Sequence, residues 1–131
     1  MTNQINRNFP PLLIGAIMVD SDPVTGITMR CLDGRFQIVT MECEHGCPFD
    51  GEMHINECAQ WVIVLSGEAV VWLGEKAELH VLRRGDTILI PAGMPHGVEL
   101  KPGYRDLTVY EGSRYSTEGG GKSANTQISA R

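Results

Sequence analysis

Gly85-Asp86-Thr87-Ile88-Leu89-Ile90-Pro91-Ala92-Gly93-Met94-Pro95-His96 is the stretch that decides how the chain is read. A Gly-Asp turn leads into a short apolar run, and a Pro-Ala-Gly loop then ends on a histidine. Aliphatic residues bracketed by turn formers specify a short strand. This layout suits a rigid β-scaffold that aims His96 into a cavity. A second polar cluster lies upstream, His54-Ile55-Asn56-Glu57-Cys58-Ala59-Gln60, followed by the apolar run Trp61 to Leu65 and a turn at Ser66-Gly67. Two strand-anchored segments that each deliver nitrogen or oxygen donors point to a metal site.

Outward from these segments the chain reads as short strands punctuated by glycine turns. Ile27 to Leu32 meets Asp33-Gly34, a strong hairpin signal, and Arg35 to Met41 follows. Further strands are expected over Ala69 to Leu73, Ala77 to Leu82, Thr87 to Ile90, Gly97 to Leu100 and Arg105 to Tyr110. No stretch sustains a period of 3.6 residues. Strands at this spacing predict an all-β sandwich or barrel. Alternation over Ala77 to Leu82 places Leu79 and Val81 on one face and Glu78 and His80 on the other, with His80 toward solvent. Trp61 to Leu65 is apolar on both parities, which calls for a second sheet or a partner subunit over each face. Trp61 and Trp72 read as core or dimer-interface aromatics.

A chain of 131 residues has room for one domain with a real core. Its apolar share of 42% and charged share of 21% are those of a globular protein. The formal charge of −5 comes with no Lys/Arg stripe, which disfavours nucleic acid as a partner. No apolar run approaches the ~18 residues of a membrane span, and the polar N-terminus does not resemble a signal peptide. A cytoplasmic protein is expected, with reduced thiols at Cys31, Cys43, Cys47 and Cys58. The Cys43–Cys47 spacing has three intervening residues and no second Cys/His pair at zinc-finger distance, so structural thiols are expected. The domain is expected over residues 1–111, with the first eight loosely held. The polar, glycine-rich segment 112–131 reads as a flexible tail. Its Gly119-Gly120-Gly121-Lys122-Ser123 lacks the leading glycine, strand and helix of a phosphate loop.

If residues 54–60 form one extended strand, then His54, Asn56, Cys58 and Gln60 share a face that Val62 and Val64 continue. That would be a polar site at the mouth of an apolar cavity, on which His96 converges. The downstream segment resembles the second motif of the cupin superfamily, G-x5-P-x-G-x2-H, through Gly85, Pro91, Gly93 and His96. The first motif, G-x5-H-x-H-x3,4-E-x6-G, anchors on Gly67. It sets His54 at the first histidine, Asn56 at the second and Gln60 at the glutamate, while Pro48 stands where its leading glycine belongs and Leu100 where the second motif ends on asparagine. The likeness spans about Ile38 to Tyr110.

The resemblance implies an antiparallel jelly-roll barrel (a double-stranded β-helix), a homodimer, and a divalent metal such as Zn, Fe, Mn or Ni. Carried over residue by residue, His54, Gln60 and His96 would hold the ion, with Asn56 nearby. Two amides replace an imidazole and a carboxylate. They are weaker, neutral donors, so any metal should bind weakly unless Glu52, Glu57 or His45 assists. On this fold the expected chemistry is that of a metal-dependent oxygenase, isomerase or lyase acting on a small molecule. The alternative is a non-catalytic, metal-free module that binds or senses a metabolite, with Asn56 and Gln60 recognising it.

Overall fold

A computed structural model describes residues 14–112 and 114–115, and the backbone of 128–130. The phosphate-loop look-alike at 119–123 and the first eight residues lie outside that set. The strands in chain order are β1 (Ile17–Asp22), β2 (Ile27–Leu32), β3 (Gln37–Cys43), β4 (Met53–Ile55), β5 (Gln60–Ser66), β6 (Glu68–Leu73), β7 (Glu78–Arg83), β8 (Thr87–Ile90), β9 (His96–Leu100), β10 (Tyr104–Tyr110) and β11 (Ile128–Ala130). They form two antiparallel sheets, ordered β1-β2-β3-β10-β5-β8 and β11-β4-β9-β6-β7. The all-β jelly-roll expectation holds.

Local chemistry explains the turns. Asp86 accepts the Arg83 N–H on its carboxylate at 2.7 Å, and its own N–H donates to the Arg83 carbonyl at 2.9 Å. This closes the turn that launches β8. Gly67, between β5 and β6, has φ +76, and a Cβ there would lie 2.7 Å from Tyr104 Cα. Only glycine meets both demands. The Asp33-Gly34 turn is wider than a two-residue hairpin, because pairing resumes at Leu32 opposite Ile38.

The interior fills from both sheets. One buried cluster joins Cys43, Val64, Ala69, Val71, Leu82, Leu100 and Tyr104. A second joins Val19, Met29, Cys31, Val39, Cys58 and Tyr110. On β5, Val62 and Val64 point inward while Trp61 stays 42% exposed beside its cross-strand partner Leu89. Trp72 instead stacks on Phe49, with ring centroids 4.4 Å apart. On β7 the expected parity is reversed. Leu79 and Val81 are exposed and Leu82 is buried. The cause is β6, whose buried Ala69 and Val71 face Leu82 and His80 across the ladder and fix the inward side. His80 is half-buried there and bonds Glu78 at 2.9 Å.

Beyond Gly112, Arg114 and Tyr115 are anchored by Gln37, whose side chain is wholly buried. Its Oε1 accepts the N–H groups of Arg114 at 2.9 Å and Tyr115 at 2.7 Å, and its Nε2 donates to the Tyr115 carbonyl at 2.7 Å. Strand β11 pairs with β4. These parts of the segment expected as a flexible tail are therefore docked on the barrel.

Candidate metal and ligand site at the barrel mouth

The segment 54–60 is not one strand. β4 ends at Ile55 in one sheet and β5 begins at Gln60 in the other, so the argument from a single shared face fails. His54, Asn56, Gln60 and His96 nevertheless meet, because the chain crosses between sheets over the barrel mouth. All four line one open cavity of about 260 Å³. The Asn56 carbonyl takes the Gly93 N–H at 3.0 Å, tying the crossing to the Pro-Ala-Gly loop. Cys58 does not line this cavity and packs in the second core cluster instead.

His54 and His96 are direct cross-strand partners on β4 and β9. Residues so placed have Cβ atoms roughly 4.5–5.5 Å apart. His96 is buried, and its Nδ1 lies 3.0 Å from the Met94 carbonyl. A carbonyl only accepts, so Nδ1 carries the proton and Nε2 holds the lone pair. Burial holds the His96 pKa below its ordinary 6.5, and the charges of His54 and Arg114 push it the same way, against the Met94 bond. The imidazole is thus neutral at pH 7, as a metal ligand must be. His54 has Nε2 3.5 Å from a carboxylate oxygen of Asp50. Gly97, next to His96, lets Phe49 lie against the sheet, since a Cβ there would sit 2.5 Å from the Phe49 ring.

The amides are engaged with each other, the Asn56 Nδ2 donating to Gln60 Oε1 at 2.7 Å. That bond turns the Asn56 amide nitrogen, which cannot ligate, toward Gln60 and leaves one lone pair on Gln60 Oε1 for another partner. Glu52, Glu57 and His45, the expected auxiliaries, do not line the mouth; the carboxylate at its rim is Asp50. No motif pointed to Asp50, nor to Arg114 and Tyr115, which complete the wall. Among the described residues no three His, Cys, Asp or Glu side chains are grouped to hold a metal. Cys43 and Cys47 are free, and burial raises both thiols above their ordinary value.

Behind the mouth lies an interior cavity of about 140 Å³, apolar but for a few groups. Gln60, Val98, Leu100, Tyr110 and Tyr115 belong to the walls of both. A barrel of two antiparallel sheets with paired histidines at its mouth is now joined by a sequence match, since the profile of the cupin domain covers residues 37–103. The chain is a cupin. No protein of curated function matches it. Among solved structures it is similar to an RmlC-like cupin from Shewanella frigidimarina, at 18% identity and TM-score 0.59 over 73% of this chain and 83% of that one. KdgF from Halomonas sp. gives 23% and 0.58 over 71% and 83%. Bacillus subtilis oxalate decarboxylase, which has Mn(II) centres, gives 20% and 0.63 over 87% of this cupin but 30% of the longer enzyme. At these identities the likeness establishes the fold. Among the described residues there is no helix long and apolar enough to cross a membrane.

Proposed function

We propose that this cupin binds a small molecule in its barrel with the help of a weakly held divalent ion at the mouth. The observation that carries the reading is the direct pairing of His54 with His96, the latter neutral and with Nε2 available, over one cavity. The donor set fits an ion held by these two imidazoles and Gln60 Oε1, with Asn56 orienting the amide rather than ligating. Asp50 supplies a compensating charge at the rim. When bound, the ion would act as a Lewis acid toward a ligand oxygen in its open positions. The chain's own residues then bind and orient: the apolar interior excludes water from the ligand body, and Arg114 on the wall favours an anionic ligand group over a cationic one.

Metal analysis of the purified protein, with thermal shifts in Mn, Fe, Ni and Zn salts, tests this. Wild type should gain several degrees with at least one ion, and His96→Ala and His54→Ala should lose that gain. A wild type that neither carries metal nor responds to any of the four sinks the metal reading and leaves the metal-free binding module. We also propose that the exposed pair Trp61 and Leu89, with Val109 beside them across the ladder, is covered in a homodimer. A monomer mass in light scattering at micromolar concentration would remove that part. The free thiols of Cys31, Cys43 and Cys47 fit the reducing cytoplasm.

A further inference from the structure

The interior cavity holds one carboxyl group, which the mouth chemistry does not use. Tyr104, Asp106, Thr108 and Tyr110 are all buried on the inward face of β10. Asp106 sits between Met41 of β3 and Val64 of β5 in the ladder. Its carboxyl shares the cavity wall with aliphatic side chains such as Val62, Val71, Leu82 and Ile88. A carboxyl among such neighbours costs the fold stability compared with an apolar side chain of similar size.

Its hydrogen bonds show what it has left to offer. Tyr104 Oη donates to Oδ2 at 2.6 Å and Thr108 Oγ1 to Oδ1 at 3.3 Å. A carboxylate accepts about four such bonds. Two neighbours therefore fix the group in place without exhausting it, at the wall of a cavity large enough for a ligand.

We propose that Asp106, held by Tyr104 and Thr108, is the inner recognition point of the barrel and accepts a hydrogen bond from a hydroxyl group on the ligand. The ligand is then a small molecule with a mainly apolar body, its hydroxyl on Asp106 and its opposite end at the His54–His96 mouth. This deepens the reading of the barrel as a ligand-binding site and rests on it. A hydroxyl matches the site better than an ammonium group, which would bring three donors to one carboxyl in apolar walls. The match survives protonation of Asp106, since a carboxylic acid still accepts through its carbonyl oxygen.

Benzene and phenol test this, because an apolar cavity of about this size accommodates benzene. Calorimetric titration of the full-length wild type should show phenol binding roughly tenfold more tightly than benzene, the worth of one good hydrogen bond. The paired replacement Asp106→Leu with Tyr104→Phe removes donor and acceptor of the short bond together and leaves only the 3.3 Å bond from Thr108 unmade. It should keep benzene binding and abolish the preference. Equal affinities in wild type, no binding of either compound, or a preference that persists in the double variant would overturn the assignment. So would benzylammonium binding more tightly than phenol. Neither neutral probe needs an ion to bind beside Asp106, so failure of metal uptake at the mouth leaves this result unaffected.

Discussion

The substitution Asp106→Asn should make the protein's stability respond differently to pH, in a direction set by burial. The carboxyl is 3% exposed, and desolvation lifts its pKa from the ordinary 3.8 to about 7 against the opposing bonds from Tyr104 and Thr108. In the unfolded chain the same group ionises near its ordinary value, so folding takes up a proton between 3.8 and about 7. Wherever the native state binds more protons than the unfolded state, stability falls as pH rises. The slope for one group is about 1.4 kcal/mol per pH unit, so ionised Asp106 weakens the fold by roughly 4 kcal/mol above the window.

The asparagine of the variant keeps the shape and one acceptor but has no charge to bury. Urea unfolding followed by the fluorescence of Trp61 and Trp72 measures the difference at several pH values. Between about pH 5 and about pH 8 the variant should gain about 3 kcal/mol relative to wild type, most of it below pH 7. The comparison cancels His96, whose lowered pKa works in the opposite sense: its neutral form favours the fold at higher pH, and that contribution is lost as pH falls below 6.5. Tyr104, Tyr110 and Tyr115 are the other titratable groups coupled to Asp106, and burial holds all three above their ordinary range, so none titrates in the window. A difference that stays flat within about 0.5 kcal/mol from pH 5 to 8 refutes the reasoning, because a carboxyl ionised at pH 5 in the folded state is not desolvated as the packing requires.

Two further substitutions probe how the mouth is held. Gly67→Ala sets a Cβ 2.7 Å from Tyr104 Cα at φ +76, and should cost at least about 2 kcal/mol in urea unfolding; a loss under about 0.5 kcal/mol would mean that the turn and β10 separate freely. Gln37→Leu strands the Arg114 and Tyr115 N–H groups and the Tyr115 carbonyl, and should cost about 3 kcal/mol. Trypsin should then cut after Arg114 faster in the variant than in wild type under native conditions, and unchanged cleavage would show that something other than Gln37 anchors the segment.

What was legible in the sequence was whatever is decided locally. The Gly85-Asp86 turn is closed by Asp86 on Arg83, within three residues, and the loop that delivers His96 fixes its tautomer through Met94, two residues away. What was not legible depends on distant partners. The parity of β7 is chosen by Ala69 and Val71 on β6, not by the sequence of β7. Arg114 reaches the mouth because Gln37, 77 residues earlier, holds its backbone. Period-two alternation also cannot see a chain leave one sheet for the other, which is what happens between His54 and Gln60.

Strand β10 shows the same limit and gives it meaning. Hydrophobicity alone would turn Leu107 and Val109 inward and leave Asp106 and Thr108 to water, yet the buried residues are Asp106 and Thr108. Reversal is consistent with its neighbours: Val109 lies opposite Trp61 on the outer face, and Trp61 opposite Leu89, an apolar stripe across three strands. A strand that buries a carboxyl and a threonine while a leucine and a valine stay half-exposed contradicts a pattern that soluble barrels otherwise obey. Such conflicts concentrate where function overrides packing. Here each half of the conflict has a proposed use, since the inward carboxyl addresses a ligand and the outward stripe addresses a second copy of the chain.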